Sequence, residues 1–186
     1  MKIFHRSFYL IPLNKMKALK PIALLAFLTF GLTTVKADPI PLPVAIKNVT
    51  KAYLAVKNAL VAGNAATAQA KAMDLVSTFN SVPDVNMNMD QHRMWFEYLS
   101  KMVVAARKVN EDANIEHQRS SFADLSENLF TVLKKFHMNS STLYYQYSSY
   151  DHYYWISETA AIKNPYSGPG TSLTKGETRE TLSAGR

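Results

Sequence analysis

Four consecutive stretches of the chain carry apolar residues at alternating steps of three and four, the spacing that gathers them into one stripe on a helix. The first is Ile46, Val49, Tyr53, Val56 and Leu60, ending at Gly63, and the second is Ala65, Ala68, Ala72, Leu75 and Phe79, with Asn64 as its cap and Pro83 beyond its end. Trp95, Tyr98, Met102, Ala105 and Val109 form the third, for which Asp90 is the expected cap. Ile115, Phe122, Leu125, Leu129, Val132 and Phe136 form the fourth behind Asn114. Each stripe must be buried, and the short links at 63–64 and 110–114, with a longer one at 81–89, favour antiparallel neighbours. The expected fold is all-α, an up-down four-helix bundle. The second stripe is mostly alanine while the third and fourth are bulky, which suits close helix approach on one side of the bundle and large knobs on the other.

The sequence of 186 residues has a formal charge of +7, a value that suggests a polyanion partner until it is divided by segment. Residues 1–37 hold six basic residues and no acid, leaving 15 basic and 14 acidic groups in 38–186. The body of the protein therefore has no electrostatic footprint for nucleic acid. The same front segment has the order of an export signal: Lys15, Lys17 and Lys20, an apolar run from Ile22 to Phe30, and Val35-Lys36-Ala37 before Asp38. Cleavage after Ala37 is expected, giving a periplasmic or secreted protein that meets the membrane only through its leader; an uncleaved anchor is the alternative. Met16 is a second natural start, so residues 1–15 read as an over-extended beginning. No cysteine occurs, which removes disulfides, thiolate metal sites, covalent haem and cysteine nucleophiles.

Residues 38–186 read as one domain, and after Asn139 its character changes. Leu143 to Tyr147 is strand-like, Asn164-Pro165 and Gly168-Pro169-Gly170 mark turns, and aliphatic residues are few. The segment 139–186 is expected to be a tail wrapped on the bundle with one or two short strands, anchored by Trp155, Ile156 and Ile162 and frayed from Glu177 to Arg186. Four sets of residues are candidates for chemistry. Met87, Met89, His92 and Met94 combine thioethers with an imidazole, a soft set suited to cuprous copper, against the plainer reading of adaptable packing at a helix start. His117 and His137 have no spacing that demands a haem, and no cofactor is expected. Ser148, Ser149, Asp151 and His152 contain the residue types of a hydrolytic site without a strand-turn-helix nucleophile signature, so no catalytic residue is assigned. The cluster Tyr144, Tyr145, Tyr147, Tyr150, Tyr153, Tyr154 and Trp155 could stack bases or sugars, but in the absence of a basic patch burial against helices is the expected use, with docking of a protein partner as the alternative.

Several pieces together resemble one family: Gln118-Arg119-x-x-Phe122-x-x-Leu125-Ser126, Tyr145-Gln146-Tyr147, Trp155-Ile156-Ser157, Ile162-x-Asn164-Pro165-Tyr166-x-Gly168, and Leu173-Thr174-x-Gly176. The chain is similar over about residues 45–182 to the exported bacterial family called domain of unknown function 3347, common in Bacteroidetes. The resemblance implies a periplasmic helical module, found alone or joined to heavy-metal efflux adaptors, with a role in copper handling, an efflux component as a partner and no enzymatic activity. It also implies a sulfur-rich tail site, and there this chain departs from the pattern. The family's Cys-Pro-Met after Tyr-Gln-Tyr reads Ser148-Ser149-Tyr150, the Cys before the late Gly reads Lys175, and a Met shortly before it reads Ser172. Hydroxyls and an ammonium are poor partners for a soft ion, so the implied metal site is expected to be lost. Gln118, Arg119, Phe122, Tyr145, Trp155, Ser157, Asn164, Pro165, Tyr166, Gly168 and Gly176 are left as residues that fix the tail to the helices.

Overall fold

A computed structural model describes residues 38–170 and 174–185. The expected leader lies outside these residues, as do Ser172 and Leu173. Four helices come first: α1 (Leu42–Val61), α2 (Ala65–Asn80), α3 (Met89–Glu111) and α4 (Ile115–Phe136). Each begins where local chemistry allows. Proline at the start of α1 occupies a position whose N–H would have no helical partner. Asn64 and Asn114 cap α2 and α4, their side chains accepting the N–H groups of Thr67 and Glu116 at 2.9 and 2.8 Å. The third helix starts two residues earlier than the sequence suggests. Asn88, not Asp90, is its cap, because Asn88 and Gln91 satisfy each other's backbone N–H groups in a reciprocal box, while Asp90 sits in the first turn. The last helix ends at His137 in the left-handed conformation, its N–H returned to Leu133 O.

The predicted stripes are the core. Val49, Tyr53, Val56, Leu60, Ala68, Ala72, Leu75, Met102, Val109, Phe122, Leu125, Leu129 and Val132 are all fully buried. Successive helices pack along one another, α1 on α2, α2 on α3 and α3 on α4. Gln69 near the start of α2 exchanges two amide hydrogen bonds with Asn110 near the end of α3, both 3.0 Å, so these two helices run antiparallel. At their other end Trp95 of α3 meets both Phe79 of α2 and Phe136 of α4, with ring centroids 6.3 Å apart in each case.

The C-terminal part corrects the all-α expectation of a wrapped tail. It forms a three-stranded antiparallel sheet, β1 (Leu143–Ser148), β2 (Tyr153–Ser157) and β3 (Glu177–Leu182), in the order β2-β1-β3. β1 pairs with β2 from Tyr144↔Ser157 to Ser148↔Tyr153 across a tight turn closed by His152 N–H to Ser148 O, 2.9 Å. It pairs with β3 from Leu143↔Leu182 to Tyr147↔Glu177, with a bulge at Tyr145/Gln146. The stretch expected to fray is therefore an edge strand. Its sequence, Glu-Thr-Arg-Glu-Thr-Leu, buries only Leu182 and leaves charges facing water, a pattern that guards an exposed edge but gives no apolar signal.

One face of the sheet lies on the helices, Tyr145 stacking on Phe130 of α4 with centroids 3.6 Å apart. Trp155, on the other face, is covered by Gly176 and half-buried Ile162. Leu129 is wholly enclosed, whereas Lys134, one turn on, is half exposed and reaches Glu180 of β3 at 2.7 Å. Leu129→Ala should cost about 2–5 kcal/mol, from lost burial and a residual cavity. Lys134→Ala should cost at most about 1 kcal/mol, as expected for an exposed ion pair. Paired denaturant melts of the two variants measure the difference.

Candidate functional site

The residues of the family-like pattern meet where the sheet and residues 158–168 rest on the helices. Tyr53 of α1 is at the centre. Its ring stacks on Phe122 of α4 at 5.0 Å, its hydroxyl lies 2.7 Å from Ser126 Oγ, and it accepts the N–H of Ile156 of β2 at 3.0 Å. Burial pushes the Tyr53 phenol well above its ordinary pKa, so it stays neutral and serves as a hydrogen-bonding bridge. Arg119 of α4, 5% exposed, donates through Nε to Pro165 O at 3.0 Å and through Nη2 to Leu60 O at 3.4 Å, with Glu116 beside Nη1. A guanidinium, with donors on several nitrogens, can hold two backbones and a carboxylate together in this way. Gln118 ties the beginning of the same helix to Ala65 O and Asp112 O.

The Asn164-Pro165-Tyr166 turn completes the junction. Asn164 Oδ1 accepts the N–H of Tyr166 at 2.9 Å, and its Nδ2 reaches Asp151 Oδ2, Ser167 Oγ and Lys175 O at 2.8, 3.2 and 3.3 Å. Tyr166 inserts its buried ring among Phe122, Tyr153 and Trp155, and its hydroxyl donates to Tyr154 O. Gln146 reaches across to Thr159 O and Ala160 O, and Ser157 Oγ accepts the N–H of Thr159. Gly176 is required by proximity, since a Cβ there would come within 2.8 Å of the Trp155 ring and 2.9 Å of Tyr147 O. Gly168 lies beside Arg119 without such crowding.

A buried ion pair absent from the sequence reading strengthens the junction. Lys57 of α1 is 1% exposed and its Nζ lies 2.6 Å from Glu158 Oε2 in the segment after β2. Burial pulls the Lys57 ammonium below its usual pKa, opposed by Glu158. For Glu158 burial acts to raise the carboxyl, but hydrogen bonding to Lys57, a backbone N–H and the lysine charge outweigh it and hold the group below the usual carboxylate range. Lys57 escaped notice because it interrupts the apolar spacing only as one more residue on the edge of the first stripe.

The tail positions for which the resemblance implies sulfur ligands are grouped at one corner. Ser148 is buried and donates to Asp151 Oδ2 at 2.7 Å, and that carboxylate oxygen also receives Asn164 Nδ2. Lys175, whose carbonyl binds Asn164, carries its ammonium 5.5 Å from the centre of the Tyr150 ring. The three described positions thus offer a committed hydroxyl, a phenol and a cation, a set that does not fit a soft metal ion. The other sulfur-bearing set is spread out: Met89 is 85% exposed, Met87 and Met94 pack against the core, and His92 stacks on Phe96 with Nε2 3.9 Å from Asp84. Among the described residues no three His, Asp or Glu side chains gather as a metal cluster. His117 pairs with Asp112 at 2.9 Å, and His137 is the exposed cap of α4. Nor do the hydrolytic residue types assemble as a relay, since Ser148 bonds Asp151 while His152 Nδ1 meets the Tyr147 hydroxyl at 3.2 Å.

The family model described as "Protein of unknown function (DUF3347)" matches residues 49–141. The chain belongs to this family. The match runs from the first turns of α1 to the residues just before β1, so it takes in Tyr53, Lys57, Arg119, Phe122 and Ser126, the helical side of the junction. No curated protein and no solved structure matches the chain. No helix among the described residues is long and apolar enough to cross a membrane.

Glu158→Gln leaves the Lys57 ammonium buried without its counter-charge, and the change should destabilise the fold by about 1–3 kcal/mol at neutral pH, less than for a fully enclosed pair because Glu158 is partly exposed. The sign with pH follows from the depressed carboxyl. Its contribution is complete above the unfolded value of about 4.3 and is lost as pH falls through the lower folded value. The melting temperature of the unaltered protein should therefore drop more steeply below about pH 4 than that of the variant. Thermal melts across an acid series test both points.

Proposed function

We propose that the protein is an exported, non-enzymatic accessory module of metal handling in the cell envelope, an up-down four-helix bundle whose tail site has exchanged metal binding for a fixed, metal-free junction. The observation that carries this reading is the Lys175 ammonium over the Tyr150 ring, at two positions where the resemblance implies sulfur ligands. A cation held there repels a metal ion, and the neighbouring Ser148 hydroxyl is already committed to Asp151. The hydrogen bonds of Asn164 join the 148–151 turn to Lys175, the connection a shared metal would otherwise provide. An efflux component is the proposed partner, and the periplasm the proposed location after cleavage near Ala37. The second reading, a module that docks a partner through its tyrosines, draws on Tyr150, which is 73% exposed. The first is preferred because Tyr144, Tyr145, Tyr147, Tyr153 and Tyr154 are half-buried in the sheet and its stacks.

Titration of the purified protein against a cuprous-ion competitor tests the reading. The unaltered chain should show no tight site, and any weak binding should vanish in a Met87→Leu, Met89→Leu, Met94→Leu variant of similar side-chain volume. Restoring sulfur by Ser148→Cys, Tyr150→Met and Lys175→Cys together should create tight binding. Tight binding by the unaltered chain that survives the methionine changes overturns the proposal.

A further inference from the structure

A groove of about 360 Å³ lies between the outer side of α1 and the connection from α4 to β1, away from the junction described above. Leu54, Ala55 and Leu143 give it apolar walls, and Lys47 and Lys51 stand one helical turn apart at one end. Most of the other lining residues carry polar groups, yet the surface they expose is mainly apolar, and with its volume this suits a small molecule that has both characters.

Three observations define the chemistry of an occupant. No acidic residue lines the groove, and α1 contains none along its whole length. Among the described residues neither Lys47 nor Lys51 makes a salt bridge, although most other charged groups nearby are paired. The nearest carboxylates are committed elsewhere: Glu158, close to Asn58 at the far end, holds Lys57, and Asp74, in a hollow between α1 and α2 that Lys51 also lines, holds Lys71 at 2.8 Å. The groove is thus positive at the Lys47–Lys51 end, apolar through Leu54 and Ala55, and uncharged beside Leu143. Its second wall is fixed as well. Asn139 donates through Nδ2 to Ser141 O and Ser183 O at 2.9 and 2.8 Å, pinning the connection to the C-terminal segment. Thr50 contributes no free donor, since its hydroxyl is given to Ile46 O.

We propose that this groove binds a single-chain amphiphile with an anionic head, such as a medium-chain carboxylate. The head lies at Lys47 and Lys51, and the tail runs along Leu54 and Ala55 toward Leu143. From Lys51 to Asn58 the helix rises roughly 10 Å, which limits the tail to medium length. The site is independent of the metal-handling reading, as it shares no residue with the tail corner.

The test uses decanoate, decanol and decylamine, three probes with one tail and different heads, added to the purified protein below their micelle-forming concentrations and followed by backbone amide shifts. Decanoate should bind saturably at one site, shifting amides of residues 47–58 and 139–143. Decanol should bind about five- to tenfold more weakly, and a Lys47→Gln, Lys51→Gln variant should lose affinity for decanoate by the same factor with an unchanged melting temperature, in keeping with two exposed charge contacts. Decylamine should not compete. Ala55→Phe should close the groove and abolish binding; should that variant not fold, the lysine variant decides alone. Equal binding of decylamine and decanoate, shifts confined to other residues, or attachment to anionic lipid vesicles without saturable binding of decanoate would each overturn the proposal.

Discussion

The rest of the structure depends on one buried phenol. Tyr53 comes from the first helix, yet its hydroxyl serves the fourth helix through Ser126 and the second strand through the N–H of Ile156. That N–H is buried, and a strand edge resting on apolar helices must find an acceptor or lose stability of the order of 1–3 kcal/mol. A phenylalanine in the same place would fill the volume and leave the Ile156 N–H without its acceptor, while the Ser126 hydroxyl would keep only Phe122 O. The stack on Phe122 holds the ring at the right height, and Arg119, one helical turn before Phe122, binds the carbonyls of Leu60 and Pro165. Helices and sheet are thus joined through polar groups embedded in an apolar junction, which prescribes one orientation of the sheet where greasy contacts alone would accept several.

The helices were legible because each buries a stripe that repeats with the helical period, and α2 and α4 because each also starts behind an asparagine that caps it. Trp155, Ile156 and Ile162 were legible as anchors for a simpler reason, as large apolar residues in a polar tail. What escaped the sequence has a common physical origin: a partner distant in the chain. β3 has polar residues because it is an edge, and only its pairing with Leu143–Tyr147, far earlier in the chain, makes it a strand. Lys57 looks like a solvated lysine until Glu158 is brought to it from 101 residues away. The cap of α3 failed for a local reason, because Asn88 and Asp90 are both good caps and the choice falls to the residue that finds Gln91 three positions on.

At the tail corner three side chains meet through the backbone that carries them. Ser148, Tyr150 and Lys175 meet because the β1–β2 turn and the start of β3 are held by Asn164, whatever those three side chains are. Asp151 is the residue most altered in meaning. Read beside His152 and Ser148 it suggests hydrolysis; in the fold it takes hydrogen bonds from Ser148 and Asn164 and keeps the turn closed.

The strand order β2-β1-β3 has a consequence for how the chain reaches its final state. The middle strand, the one rich in tyrosine and free of charge, gains its second neighbour only from residues 177–182, well beyond the hairpin that supplies the first. Until those residues are available, Tyr144 to Tyr147 present an unpaired edge with high β-propensity, the kind that recruits other chains. During synthesis the helices can close early through local contacts, but the sheet stays open until β3 has emerged. Loss of β3 would convert a protected central strand into an adhesive one, so removing residues 177–182 should endanger solubility far more than the exposed, charged character of that strand suggests.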